Sequence, residues 1–338
     1  MTDMNDEPIA LYTDTEDADL SSAVALLEAA GFRVVIDELV SETELAMRVG
    51  ELQPAALLIT YAPVGEPVFK AGPTIRVVSC CAVGFDSVDI AAADRHGVWV
   101  CNVPDAATEE VASHALSMAL ALVRRLPFMD RHVRDGGWSF DAAGTAALPA
   151  ELTLGIIGLG RIGRRLASLS RSLFADVVGC DPLLDDDAWP QAVRRLDLES
   201  CLAASNVVSL HTPLTDTNEH LINARTIELL PPDAMVVNVS RGRLVDEGAL
   251  LDALDRGRLA AAALDVTDPE PPEVGGRLRS HPRVMLTPHA AFYSAATPDR
   301  YLIHQAENVS SWRREGVPRN AVNRPSGAGD GLGPASIS

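Results

Sequence analysis

Three glycines at the end of an apolar run mark the first place where this chain could do chemistry. Residues 152–157 read as a β-strand and lead directly into Gly158-Leu159-Gly160-Arg161-Ile162-Gly163, after which Leu166, Leu169 and Leu173 mark a helix. In that setting the first glycine makes a tight turn, the second lets backbone approach a pyrophosphate, and the third lets helix pack on strand. The anion then faces the helix N-terminus. Asp181 ends the next strand, where a carboxylate accepts hydrogen bonds from the adenosine ribose hydroxyls and repels a 2′-phosphate, so NAD is favoured over NADP. Its alternative role is a turn cap before Pro182. Three later segments each finish a predicted strand on polar residues: Asn238-Val239-Ser240-Arg241-Gly242, Leu264-Asp265-Val266-Thr267-Asp268-Pro269-Glu270-Pro271, and Leu286-Thr287-Pro288-His289-Ala290. Ligands of open parallel sheets bind at such strand ends, so an arginine, a glutamate and a histidine come to one edge of one sheet.

The elements that must position them follow an α/β rhythm. Apolar β-like runs at 9–12, 33–36, 56–60, 75–80 and 98–100 alternate with helical patterns, the signature of a parallel sheet covered on both faces. One long helix is expected over 109–126, with acidic residues in its first turn, followed by a connection over 131–148 that holds Gly136 and Gly137. Strands then recur near 152–157, 177–180, 206–210, 235–238, 259–263 and 284–286, and a last amphipathic helix runs from Thr297 to about Arg314. The residues from Pro325 onward lack periodicity and are expected to be disordered.

Composition narrows the classes. A chain of 338 residues, 47% hydrophobic and 22% charged, has the balance of a globular protein of two domains. With 28 Lys plus Arg against 47 Asp plus Glu, its net charge of −19 repels phosphate backbones and anionic headgroups, so neither nucleic acid nor membrane is an expected partner. Cys80, Cys81, Cys101, Cys180 and Cys201 lack C-x-x-C spacing and read as buried reduced thiols. The acidic start shows no signal peptide, and the apolar stretch over 111–123 is too short to span a bilayer, which makes the cytoplasm the expected location. His96, His114, His132, His211, His220, His281 and His304 show no ligand spacing, so no metal is expected, and no G-x-S-x-G elbow is present.

The order of these motifs resembles the D-isomer-specific 2-hydroxyacid dehydrogenase family, from about residue 75 to residue 320. The likeness includes Val83-Gly84-Phe85-Asp86, Asn102-Val103-Pro104, the long helix, the glycine fingerprint, Leu210-His211-Thr212-Pro213-Leu214-Thr215 and the three strand-end segments. It implies two doubly wound parallel-sheet α/β domains with an interdomain cleft. A flavodoxin-like substrate-binding domain would take residues 1–103 and 298–324, a Rossmann NAD-binding domain residues 104–297, and the tail residues 325–338, with hinges near Pro104 and Ala296. It further implies hydride transfer between NAD(H) and a small 2-hydroxy or 2-keto acid. Arg241 would clamp the substrate carboxylate, helped by Val83 and Gly84 backbone donors. His289 would be the acid/base, and Glu270 would sit beside it, favour the charged ring and fix which nitrogen faces the substrate. Cofactor contacts are implied for Thr108 and Asp265 near the nicotinamide, for Gly158, Gly160, Arg161, Ile162 and Gly163 at the pyrophosphate, and for Asp181, Thr212 and Pro213 near the adenosine. Val239, Ser240 and His289 complete that set. Relatives pair through the long helix, so a homodimer is implied.

Two features depart from the common family pattern. Thr267 stands where a phenylalanine is usual, and Tyr61 where an arginine would hold a phosphate, which tells against 3-phosphoglycerate as substrate. The segment Ala291-Phe292-Tyr293-Ser294, with Asn320-Ala321-Val322-Asn323, is more similar to the C-terminal-binding-protein branch. That likeness keeps open a corepressor-like NAD(H)-binding scaffold with secondary dehydrogenase activity. A dehydrogenase of another small anion, of the formate or phosphite type, is the remaining alternative.

Overall fold

Successive residues of a strand point to opposite faces of its sheet, and in this chain both faces are apolar. In the computed structural model, which describes residues 7–15, 18–142 and 144–325, the chain divides into two units, Met1–Ala106 with Ser294–Ser338, and Ala107–Tyr293. The tail expected to be disordered lies, from residue 326 on, outside the described residues.

The first unit holds β1 (Ile9–Tyr12), β2 (Arg33–Ile36), β3 (Ala56–Ile59), β4 (Val77–Cys80) and β5 (Trp99–Cys101). Every pairing is parallel, in the order β2-β1-β3-β4-β5, the flavodoxin-like order. Leu11, Leu57, Ile59, Val78 and Val100 enter one buried cluster, while Ala10, Tyr12, Ala56, Leu58 and Val77 enter another, as a period of two requires.

The second unit holds β6 (Thr153–Ile157), β7 (Asp176–Cys180), β8 (Arg194–Arg195), β9 (Val207–Leu210), β10 (Ala234–Asn238), β11 (Leu259–Leu264) and β12 (Val284–Leu286). The order β12-β11-β10-β9-β6-β7-β8 is parallel throughout. It reverses direction at β6, the doubly wound arrangement that places a ligand crevice beyond the carboxyl ends of β6 and β9. Val208, Leu210 and Val236 face one core, and Val207, Met235 and Val237 the other. Helix starts are fixed by side chains: Ser41, Asp89, Asp197 and Asp246 each accept a backbone N–H as N-cap.

Two expectations are corrected here. The long helix spans Thr108–Val123 and stops short of residue 126, because Arg125 adopts a left-handed φ of 53°. A separate helix, Leu126–Arg134, with Pro127 in its first turn, then occupies the start of the stretch expected to be a connection. Strand β8 went unread because its two residues are exposed arginines at a sheet edge, with no apolar alternation to betray them.

The helix Thr297–Glu315 returns to the first unit and is held there by polar groups. Gln305 is 1% exposed, and its Nε2 donates to Ile59 O at 2.9 Å and Ser79 O at 2.8 Å, pinning the helix to the ends of β3 and β4. Replacing Gln305 by Ala leaves those carbonyls short of a donor inside the core. A loss of about 2 kcal/mol is expected in urea denaturation.

Candidate active site and cofactor cradle

Strand β6 ends at Ile157, and after the three residues Gly158, Leu159 and Gly160 the helix Arg161–Ser170 begins. Gly158 turns the chain with φ 95°, and a Cβ there would lie 2.5 Å from His211 O, so the crevice between β6 and β9 closes on bare backbone. A Cβ on Gly163 would meet Gly158 O at 2.0 Å, whereas one on Gly160 would meet nothing within 4 Å. The ground before the helix is therefore open at the second glycine only. There the N–H groups of Arg161 and Ile162 donate to no described residue. Uncommitted donors at a helix start, with room for an anion, fit a pyrophosphate. Ile162 packs its side chain on the core while Arg161 is exposed, so the pair would serve through backbone.

Asp181 follows β7 and makes the expected turn cap together with a contact to the glycine loop. Its Oδ2 accepts from Leu159 N at 2.8 Å, which steadies the glycine loop, and its Oδ1 accepts from Leu183 N at 3.0 Å, the turn cap. Each carboxylate oxygen has a second acceptor site, which suits ribose hydroxyls. Thr212 and Pro213 follow β9, where Pro213 O accepts from Asn218 Nδ2 at 2.8 Å. Val239 packs against the core, and Ser240 Oγ is committed to Leu210 O at 2.7 Å, tying the end of β10 to that of β9. Thr108 opens the helix Thr108–Val123 with its Oγ1 buried and unbonded among the described residues, a donor that a bound group can satisfy. These features fit a dinucleotide.

The candidate reacting groups follow the ends of β10, β11 and β12. Asn238 Nδ2 holds Arg241 O at 2.8 Å and its Oδ1 accepts from Ser240 N at 3.0 Å, which shapes the turn that presents Arg241. Gly242 then lies flat on the next loop, because a Cβ would fall 2.2 Å from Thr267 C and O. In that loop Glu270 Oε1 accepts from Thr267 N at 3.0 Å and Asp268 N donates to Glu247 Oε1 at 2.9 Å. Glu270 Oε2 stands 2.8 Å from His289 Nδ1. Donation from Nδ1 to Glu270 leaves Nε2 available on a side chain that is 49% exposed.

His289 has a left-handed φ of 51°, and Asp265 explains how it is held. Asp265 O accepts from His289 N at 2.8 Å, and its carboxylate, 1% exposed, accepts from Ala290 N at 2.9 Å, Ala291 N at 3.0 Å and Thr287 Oγ1 at 2.5 Å. The expected cofactor neighbour is thus also the clamp of the histidine segment. Behind it, His114 Nε2 lies 3.2 Å from Thr287 Oγ1. Sequence reading did not find His114, Thr287 or Glu247 as supporting groups; they act across long chain separations, and nothing in local spacing marks them. Val83 and Gly84 lie after β4 in the first unit. Among the described residues, no group of three or more His, Cys, Asp or Glu could hold a metal ion. All five cysteines are free, four of them buried and Cys81 half-buried.

His211 sits at the crevice with its Nε2 2.8 Å from Ser209 Oγ, and burial pushes its pKa down to about 4. The unfolded chain titrates this ring near 6.5, so between pH 6.5 and pH 4 the unfolded state binds the extra proton and folding stability falls as the pH drops. The full contribution, up to about 3 kcal/mol, is present above that window. Urea midpoints at pH 7 and pH 4.5 should therefore differ less in His211→Gln than in the wild type; equal differences would show that the ring is not the group responsible.

Residues 116–291 match the family model described as "D-isomer specific 2-hydroxyacid dehydrogenase, NAD binding domain". A glyoxylate reductase of Korarchaeum cryptofilum is 35% identical over 84% of this chain and 86% of that protein. A D-3-phosphoglycerate dehydrogenase of Archaeoglobus fulgidus is 33% identical over 90% of this chain, which spans only 58% of that longer protein. Among solved structures, the D-lactate dehydrogenase of Aquifex aeolicus complexed with NAD and lactic acid superposes with a TM-score of 0.81 at 26% identity, covering 94% of this chain and all of that one. In the described residues no helix is long and apolar enough to cross a membrane. With the doubly wound sheet, the glycine cradle and the His289–Glu270 pair in place, these likenesses settle the matter: the chain belongs to the D-isomer specific 2-hydroxyacid dehydrogenase family.

Proposed function

We propose that the chain interconverts a small D-2-hydroxy acid and its 2-keto acid, with His289 moving the proton. The observation that carries this reading is the 2.8 Å contact of His289 Nδ1 with Glu270 Oε2. Bound NADH supplies the hydride in the reductive direction, and NAD accepts it in the other. Protonated His289 gives its Nε2 proton to the oxygen at C2 as negative charge develops there, and Glu270, in contact with Nδ1, fixes the orientation of the ring. In oxidation the neutral ring takes the hydroxyl proton. Arg241 grips the carboxylate, since a guanidinium offers a planar fork matched to two oxygens, and the family likeness reads the Val83 and Gly84 N–H groups as backbone donors to substrate. The open cradle at Gly160 takes the pyrophosphate and Asp181 the ribose, which favours NAD over NADP. Glyoxylate, the substrate named in the relatives' activity, is the first acid to try, and Tyr61 in place of a basic residue tells against a phosphorylated one.

The expected outcome is NADH oxidation at 340 nm with one member of a set comprising glyoxylate, pyruvate, hydroxypyruvate and phenylpyruvate. Replacing His289 by Ala should lower kcat at least a hundredfold with NADH affinity kept, an effect of the order assigned to a general acid. Arg241→Ala should act chiefly on KM for the acid. Unchanged kinetics in the His289 variant would sink the mechanism.

The same reading includes a homodimer in the cytoplasm, the setting that five free thiols favour. The helix Thr108–Val123, through which the family likeness implies pairing, turns Glu109, Ser113 and Ser117 outward. The following stretch offers a surface: Trp138 and Phe140 are 90% and 91% exposed, with Leu126 and Leu148 above half. Apolar exposure on that scale suits a second copy of the chain. Sedimentation should give a dimer for the wild type and a monomer for the double variant Trp138→Ser, Phe140→Ser; a monomeric wild type overturns this part.

A further inference from the structure

The Val83–Gly84 turn is held from behind. Ala82 O accepts from Val103 N at 2.8 Å, and Val83 O accepts from Asn102 Nδ2 at 2.6 Å. The peptide bonds on either side of Val83 are trans; among the described residues the cis bonds lie at Asp268-Pro269 and Glu270-Pro271. In a trans peptide the C=O and the following N–H point opposite ways. Anchoring these two carbonyls on residues 102 and 103 therefore turns the N–H groups of Val83 and Gly84 away from β5. Neither N–H donates to any described residue. Two successive N–H groups on one side, both uncommitted, form a concavity for an anion.

Asn102 is itself fixed. It is 8% exposed; its N–H donates to Asn320 O at 3.2 Å, and its carbonyl accepts from Asn308 Nδ2 at 2.8 Å. Asn308, fully buried on the helix Thr297–Glu315, in turn accepts on Oδ1 from Asn320 N at 3.1 Å and Asn320 Nδ2 at 3.2 Å. The last helix of the chain thus sets the position of an amide whose side chain sets a turn between β4 and β5. A carbonyl partner at 2.6 Å requires the nitrogen of the Asn102 amide, not its oxygen, to face the turn.

We propose that Asn102 is a positioning residue for substrate binding: by drawing back the Val83 carbonyl it keeps the Val83 and Gly84 N–H groups aimed outward as a preformed anion-binding pair. The proposal rests on the reading of Val83 and Gly84 as substrate donors given above. Asn102 never touches substrate in this account; it removes the cost of turning the peptides when the carboxylate arrives.

The test compares wild type with Asn102→Ala in two assays: steady-state kinetics with the fastest 2-keto acid of the set above, and calorimetric titration of oxalate into the NADH complex. Expected are a KM raised about tenfold, a matching rise in oxalate Kd, kcat within threefold of wild type and an unchanged NADH Kd, the scale of one hydrogen bond to a charged partner's donor pair. A role confined to stability would instead lower the melting temperature and leave KM and oxalate Kd as they were, and that result overturns the proposal. So does an equal loss of NADH and oxalate affinity. If Asn102→Ala does not fold, Asn102→Asp has the native shape without the donor and is read in high salt to screen its charge; there an unchanged oxalate Kd counts against the proposal and a raised one supports it. A wild type that neither turns over any acid nor binds oxalate brings down the functional reading and this inference together, whereas a competent wild type with an indifferent variant brings down this inference alone.

Discussion

A carboxylate withdrawn from water must find donors, and the ones Asp265 finds organise the sheet edge that carries His289. Its two side-chain oxygens are met by the N–H groups of Ala290 and Ala291 and by the Thr287 hydroxyl, and its carbonyl by the N–H of His289. Four contacts converge on one residue at the end of β11 and fix the chain after β12 on both sides of His289. That fixation is what lets a non-glycine residue occupy a left-handed φ, a conformation that side chains otherwise avoid. Glu270 can then meet Nδ1 because its own loop is tied by Thr267 N and, through Asp268 N, by Glu247. The placement of His289 depends on geometry that Asp265 imposes from behind.

Much of this was legible in the sequence, and the legible part has a physical signature. Short apolar runs alternating with helical patterns can bury themselves in few ways, and the flavodoxin-like and doubly wound sheets are those ways. The glycine fingerprint was readable because each glycine answers a steric demand: Gly158 passes the His211 carbonyl, Gly163 passes Gly158, and Gly160 faces open space. Arg241, Glu270 and His289 were readable because parallel strands deliver their carboxyl ends to one edge, and each residue lies a few positions past such an end.

What stayed hidden is long-range or conditional. The break at Arg125 depends on a backbone conformation that arginine does not advertise, and β8 consists of two arginines whose strand character comes only from pairing with β7. Asp181 was read as a ribose acceptor or a turn cap; the fold shows the cap and adds a hold on Leu159 N, across 22 residues, that no local spacing announces. The pairing of His114 with Thr287 joins residues 173 apart in the chain, and that of Asn308 with Asn102 spans 206. No window of sequence contains both members of such a pair.

The manner in which Asp265 grips its neighbours carries one more consequence. Ala290 and Ala291 are held by their N–H groups, and their side chains contribute nothing to the hold. At the half-buried Ala290 any residue with a backbone proton would be gripped as well and only proline refused, whereas Ala291, 4% exposed, is held to a small side chain. Position 290 can therefore drift in sequence while the imidazole stays where it is. A lineage carrying this scaffold could change the letter next to the histidine without dismantling the edge that holds it.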